Sequence, residues 1–186
     1  MPNVLTINIE AWSQSETSIF LNVIRILSLL KKKKTKATFF VSGSLTERNP
    51  DLVRLLLQEG QEIGSLGYEG KVVYKQTPSE FKQEVLKSLK ILEKISGEKI
   101  KTYRAPYFSI NEDCLWAFDI LAEVGIEYDS SILPSQPNSI AGVPQKIFPI
   151  YTKSEKIIWE FPLATVKILG KRFALAEGDY LGLYPF

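Results

Sequence analysis

The chain has 186 residues, 45% of them hydrophobic and 24% charged, which suits one globular domain able to bury a single sizeable core. Its formal charge is only +2, with basic and acidic residues interspersed, so there is no electrostatic footprint for nucleic acid or an anionic membrane. No run approaches the roughly 20 apolar residues that span a bilayer, and the N-terminus lacks the basic start and long apolar run of a signal peptide, so the cytoplasm is the expected location.

Val4 to Ile9 is rich in β-branched residues and predicts a strand. Ser13 and Glu16 have capping-box spacing ahead of an apolar helical run from Ile19 to Leu30. The four lysines Lys31 to Lys34 suit that helix's negative C-terminal end and need no binding role. Ala37 to Val41 predicts a second strand. Asn49 as N-cap and Pro50 at the first helical position then open a helix that Gly60 ends. Glu62 to Ser65 reads as a third strand. Thr77-Pro78-Ser79-Glu80 is a capping box with proline at its first helical position, and Phe81, Val85, Leu89 and Leu92 lie on one face of the helix that ends at Gly97. Tyr103 to Phe108 predicts a strand, Asn111 a cap for a helix reaching Val124 before Gly125, and Glu127 to Ile132 a fifth strand. Leu133 to Lys156 reads as a long loop, followed by a strand over Ile157 to Phe161. Strands separated by single helices imply an α/β fold with parallel pairing, either a doubly wound sheet or a (β/α) barrel; periodicity alone does not choose.

In such folds functional groups gather where strands end. Those ends read Asn8-Ile9-Glu10-Ala11-Trp12, Ser42-Gly43-Ser44, Ser65-Leu66-Gly67-Tyr68-Glu69-Gly70, Arg104-Ala105-Pro106-Tyr107 and Asp129-Ser130-Ser131. Histidine is absent from the chain, which removes the commonest neutral-pH general base and zinc ligand. Without it the serines have no identifiable base, and Cys114, the single cysteine, has no activating partner. Glu10 with Glu69 or Asp129 is the carboxylate pairing a glycosidase would need. Trp12, Tyr68 and Tyr107 are placed to stack on sugar rings or simply to pack, Tyr74 is a further aromatic, and Trp116 belongs to a helix and reads as core. Arg104 reads either as a sugar ligand or as an ion-pair partner of Glu10, Glu69 or Asp129.

Five segments in order resemble the polysaccharide deacetylase family, the NodB-homology domains of carbohydrate esterase family 4 type that remove N-acetyl groups from sugar polymers. They are Lys36-Ala37-Thr38-Phe39-Phe40-Val41, Gly60-Gln61-Glu62-Ile63-Gly64-Ser65, Tyr103-Arg104-Ala105-Pro106-Tyr107-Phe108-Ser109, Tyr128-Asp129-Ser130-Ser131-Ile132 and Trp159-Glu160-Phe161-Pro162-Leu163. The last two are similar to a bacterial branch associated with exopolysaccharide. The resemblance implies a distorted (β/α) barrel filling residues 1–186 as a single domain, incomplete at the C-terminus. It lacks the family's last strand and that strand's catalytic histidine. An open barrel edge implies a homodimer or another protein partner, and the family implies a carbohydrate ligand.

The resemblance also places the family's chemistry. A divalent metal, commonly zinc, is held by an acidic residue and two histidines, and an aspartate acts as base. Here the base position is Asn8, an amide that takes up no proton at useful pH. The histidine positions are Leu66 and Gly70, Arg104 occupies the position that orients the base, and Glu10 remains as one carboxylate. No cofactor is therefore expected, and the implied activity is a degenerate deacetylase that binds glycan or a partner protein. The alternative is an active hydrolase of C–N bonds in a carbohydrate. It would use no metal, or a hard cation such as magnesium or calcium held by Glu10, Glu69 and Asp129. Glu10, Trp12, Tyr68, Arg104, Tyr107 and Asp129 are the substrate-binding candidates.

Overall fold

A computed structural model describes residues 4–10, 16–135, 140–168 and 171–174. The chain runs β1 (Thr6–Ile9), α1 (Glu16–Lys33), β2 (Thr38–Val41), α2 (Gly43–Arg48), α3 (Pro50–Gln58), β3 (Glu62–Ser65), α4 (Pro78–Ser96), β4 (Thr102–Tyr103), α5 (Trp116–Glu123), β5 (Tyr128–Asp129), β6 (Phe148–Tyr151) and β7 (Ile157–Glu160). β8 (Thr165–Ile168) and β9 (Lys171–Ala174) form a separate antiparallel hairpin. The main sheet has the order β1-β2-β3-β4-β5-β7-β6, parallel throughout except for β6, which runs antiparallel to β7. This is a distorted (β/α) barrel arrangement, and among the described residues it is open between β1 and β6.

The strand register explains what the sheet holds. Ile9, Val41, Ser65, Tyr103, Asp129 and Glu160 are successive partners across six strands and form one buried row. Asn8, Phe40 and Gly64 form the next row and, by the two-residue pleat, lie on the opposite face. α4 shows how sequence builds the helical layer. Thr77 Oγ1 accepts from the Glu80 backbone N–H, Glu80 accepts from the Thr77 N–H, and Gly97 closes the helix at φ +75°. Phe81, Val85, Leu89 and Leu92 are all buried, each contributing roughly 1.5–3 kcal/mol. Trp116 packs edge-on against Phe81, in keeping with a core position.

Several predicted elements are corrected. The strand expected over Tyr103 to Phe108 covers only Thr102–Tyr103. Pro106 has no N–H for a sheet ladder, and residues 106–108 make a 3-10 turn. The fifth strand stops at Asp129: the Ser131 N–H turns back to the Asp129 carboxylate, and the hydroxyls of Ser130 and Ser131 bond to Arg104, Ala105 and Phe161 in neighbouring loops. Asn111 caps a 3-10 turn over Glu112–Cys114, and α5 starts only at Trp116. Asn49 stands before α3, but its side chain makes no capping bond. The expected loop from Leu133 to Lys156 contains β6, whose short Phe-Pro-Ile-Tyr run is hidden among polar neighbours. α2 has no counterpart among the predicted elements. It sits against α4 where Gly43 has no room for a side chain, since an added Cβ would lie 2.9 Å from Ser88 Cα. Ser13 lies outside the described residues.

Candidate active site

The centre of the candidate site is Arg104, immediately after β4. It is 4% exposed. Its Nε–H donates to the Ser130 carbonyl at 2.9 Å, its Nη2 to Thr6 Oγ1 at 2.9 Å and to Ser130 Oγ at 2.6 Å, and its Nη1 to Asn8 Oδ1 at 2.9 Å. Ser130 Oγ in turn donates to the Phe161 carbonyl at 2.8 Å. The guanidinium lies 4.3 Å from the centre of the Phe40 ring and 5.4 Å from that of Phe108. Phe40 can take this place because Gly64 beside it has no side chain; a Cβ there would sit 2.6 Å from the ring. Burial pulls the Arg104 pKa down to about 10, opposed first by the charge of Asp129, which favours its protonated form.

Arg104 therefore binds the residue at the base position, as the resemblance implies, but that residue is an amide. With Oδ1 facing Arg104, Asn8 turns Nδ2 toward Glu10 Oε1 at 3.5 Å. An amide oxygen takes up no proton at useful pH, so Asn8 offers no base for a water nucleophile. The ion-pair expectation for Arg104 is corrected. Glu69 pairs instead with Lys71 at 2.9 Å, and that contact, with its charge, holds the Glu69 carboxyl below its usual range. Asp129 is committed to Ser131, accepting from its N–H at 3.0 Å and from Oγ at 2.7 Å.

The loop after β3, which would carry the metal histidines, is built differently. Leu66 is completely buried. Gly70 has φ +75° and open space where a side chain would go. The loop is gripped by Glu84 of α4. Its Oε2 accepts from the backbone N–H groups of Tyr68 and Glu69, both at 3.1 Å, while Oε1 pairs with Lys71 at 3.1 Å. Tyr68 donates its hydroxyl to Glu47 at 2.7 Å and has Lys87 Nζ 3.5 Å from its ring centre, so one ring face is already covered.

These residues do not fit a zinc ion. An alkyl group, a glycine and an amide stand where two nitrogen ligands and a base are required, and no three His, Cys, Asp or Glu side chains converge among the described residues. The alternative carboxylate-only site through Glu10, Glu69 and Asp129 is not assembled either, because Asp129 is 1% exposed and Glu69 is turned to Lys71. The same two facts undo the glycosidase pairing and remove Asp129 from the substrate-binding candidates. Trp12 lies outside the described residues. Tyr107 is 45% exposed, and burial and then the charge of Glu10 raise its phenol. Tyr107 and Phe108 have φ of 57° and 53°, a left-handed conformation costing about 1–3 kcal/mol each. Burial raises the Cys114 thiol, in keeping with an inert residue. Two contributors escape sequence reasoning: Glu84, hidden on the polar side of a regular helix, and Glu160, which alternation on β7 marks as inward-facing.

The sequence profile of the family described as polysaccharide deacetylase matches residues 21–128. The chain belongs to the polysaccharide deacetylase family. A peptidoglycan-N-acetylglucosamine deacetylase of Listeria monocytogenes is 37% identical over 87 residues, 47% of this chain and 19% of that protein. Among solved structures, a Mycobacterium smegmatis protein described as of polysaccharide deacetylase type superposes with a TM-score of 0.69 at 20% identity, over 87% of this chain and 58% of that one. A CE4 family pseudoenzyme from Bacillus anthracis superposes with a TM-score of 0.58 at 24% identity, over 66% of this chain and 40% of that one. This deacetylase-family chain thus spans only part of the length of each of these relatives.

Proposed function

We propose that this member of the polysaccharide deacetylase family binds a glycan, or a protein partner of a glycan pathway, without metal-dependent hydrolysis. The observation that carries the reading is the Arg104–Asn8 contact: the arginine is in position, and it holds an amide where hydrolysis needs a base. The buried Leu66 and the bare Gly70 support it. The B. anthracis fold relative is itself a pseudoenzyme, and a variant of it has restored enzymatic activity. An exopolysaccharide is the glycan we favour, on the segments Tyr128 to Ile132 and Trp159 to Leu163.

The test is acetate release from N-acetylated glycan oligomers with zinc supplied, run beside a binding titration with the same oligomers. Binding without acetate release is expected. Turnover that disappears when Arg104 or Glu10 is substituted would overturn the proposal. Adding Asn8→Asp, Leu66→His and Gly70→His together should create zinc affinity absent from the parent; failure would discredit the placement of these positions. The Gly70 change carries about 1–2 kcal/mol of left-handed backbone strain, so folding must be checked first.

A further inference from the structure

Beneath Arg104 the buried row of the sheet contains two carboxyl groups side by side. Asp129 and Glu160 are direct register partners on β5 and β7, exposed by 1% and 0%. Two ionised carboxylates cannot share such a place without a strong opposing charge. Their hydrogen bonds are unequal. Asp129 accepts from Ser131 N–H and Ser131 Oγ–H. Glu160 Oε1 accepts from the Ile132 N–H at 3.1 Å, and its buried Oε2 has no hydrogen-bond donor among the described residues. An oxygen in that state is accounted for if it carries a proton and donates it.

We propose that Asp129 and Glu160 share a single proton, resident on Glu160 and donated to Asp129, and that this shared proton holds together the loops that carry Arg104. The charges then balance. Arg104 contributes one positive charge, the pair one negative charge, and residue 8, being an amide, none. The pair also ties the loops mechanically: Asp129 fixes Ser131, whose Oγ accepts from the Ala105 N–H at 2.8 Å, Glu160 fixes Ile132, and Ser130 between them holds the guanidinium.

The surroundings favour the proton. Burial, then the Asp129 charge, drives the Glu160 carboxyl well above the carboxylate range; burial also raises Asp129, opposed by its hydrogen bonds with Glu160 and Ser131 and by the Arg104 charge. Tyr103 of β4 shares the row with the pair, and its phenol is raised, first by burial and then by the Asp129 charge; Arg104, turned to the other face of the sheet, acts on the pair through its charge. From α5, which packs near β7, Asp119 and Glu123 turn outward to Lys153 and Lys82. β6 brings Tyr151, which is 76% exposed. Glu84 of α4 acts on Tyr103 and is neutralised by Lys71.

An acid whose folded pKa is raised binds its proton in the folded chain when the unfolded chain has released it, above about pH 4.3. The resulting stability is complete below that value and is lost as pH rises toward the raised one. The experiment is urea denaturation of the unaltered protein and of Glu160→Gln from about pH 5 to about pH 9, a range inside which most other carboxyls stay ionised. The substituted amide keeps a donor to Asp129 but has no proton to lose. The expected result is a midpoint that falls with rising pH in the parent and falls distinctly less in Glu160→Gln. Equal slopes would overturn the proposal. A second measurement does not depend on the variant folding: the infrared spectrum of the parent at pH 7 should contain the carbonyl stretch of one protonated carboxylic acid, and its absence would equally overturn it.

Discussion

Replacing Asn8 by aspartate tests whether this position is held by Arg104 in the manner described. The neutral-acceptor hydrogen bond from Nη1 to Oδ1, 2.9 Å long, would become one between two charged groups. The present bond is already charge-assisted through the guanidinium, so what an aspartate adds is the attraction of a second charge, about 1.4 kcal/mol at 2.9 Å in a water-like dielectric. Glu10 opposes the gain. Its Oε1 lies 3.5 Å from Asn8 Nδ2, and two carboxylates at that distance in a water-like dielectric repel by about 1.2 kcal/mol. Asn8→Asp should therefore leave stability within about 0.5 kcal/mol of the parent, whereas the same change in a Glu10→Gln background should stabilise by about 1.4 kcal/mol. Urea denaturation of the four proteins at pH 7 closes this double-mutant cycle. The introduced aspartate, paired with Arg104, has a depressed pKa, so the gain should be present above about pH 4 and be lost as pH falls below it. If Asn8→Asp brings no stabilisation even with Glu10 neutralised, the Arg104–Asn8 contact is not what organises the site.

Glu84→Gln removes the charge that grips two backbone N–H groups and Lys71. It should cost about 1–2 kcal/mol and speed hydrogen exchange at the Tyr68 and Glu69 amides while leaving α3 protected. Arg104→Lys loses the planar fork that reaches Thr6, Asn8 and Ser130 at once, so a loss of roughly 3 kcal/mol is expected in urea denaturation. Gly64→Ala should destabilise by about 1–3 kcal/mol by pushing Phe40 off the guanidinium, and thermal unfolding that matches the parent would contradict that packing.

The sequence is most readable where a local signal and the tertiary role coincide. α4 is the clearest case, since its capping box, apolar face and terminal glycine all point the same way, and the helix forms over Pro78–Ser96. β1, β2 and β3 are legible as short β-branched or apolar runs between helices; β1 carries Asn8, and the end of β3 leads to Leu66 and Gly70. The boundaries after β4 and β5 are not, because they are set by bonds between loops that involve the side chains of Arg104, Ser130 and Ser131, and alternation of residue types carries no trace of that. β6 escapes notice for a related reason: its pairing is with β7, a partner that lies later in the chain. The pairing of Asp129 with Glu160 is a product of register, since neither residue signals by itself that the other will lie opposite it.

Calorimetric titration of the metal-stripped protein with zinc bears most directly on the claim that this deacetylase fold lacks its metal site. With Leu66 buried, Gly70 bare and Asn8 bound by Arg104, the account predicts no specific heat of binding. One-to-one binding at micromolar affinity or tighter would contradict it and return the chain to the metal-dependent hydrolases.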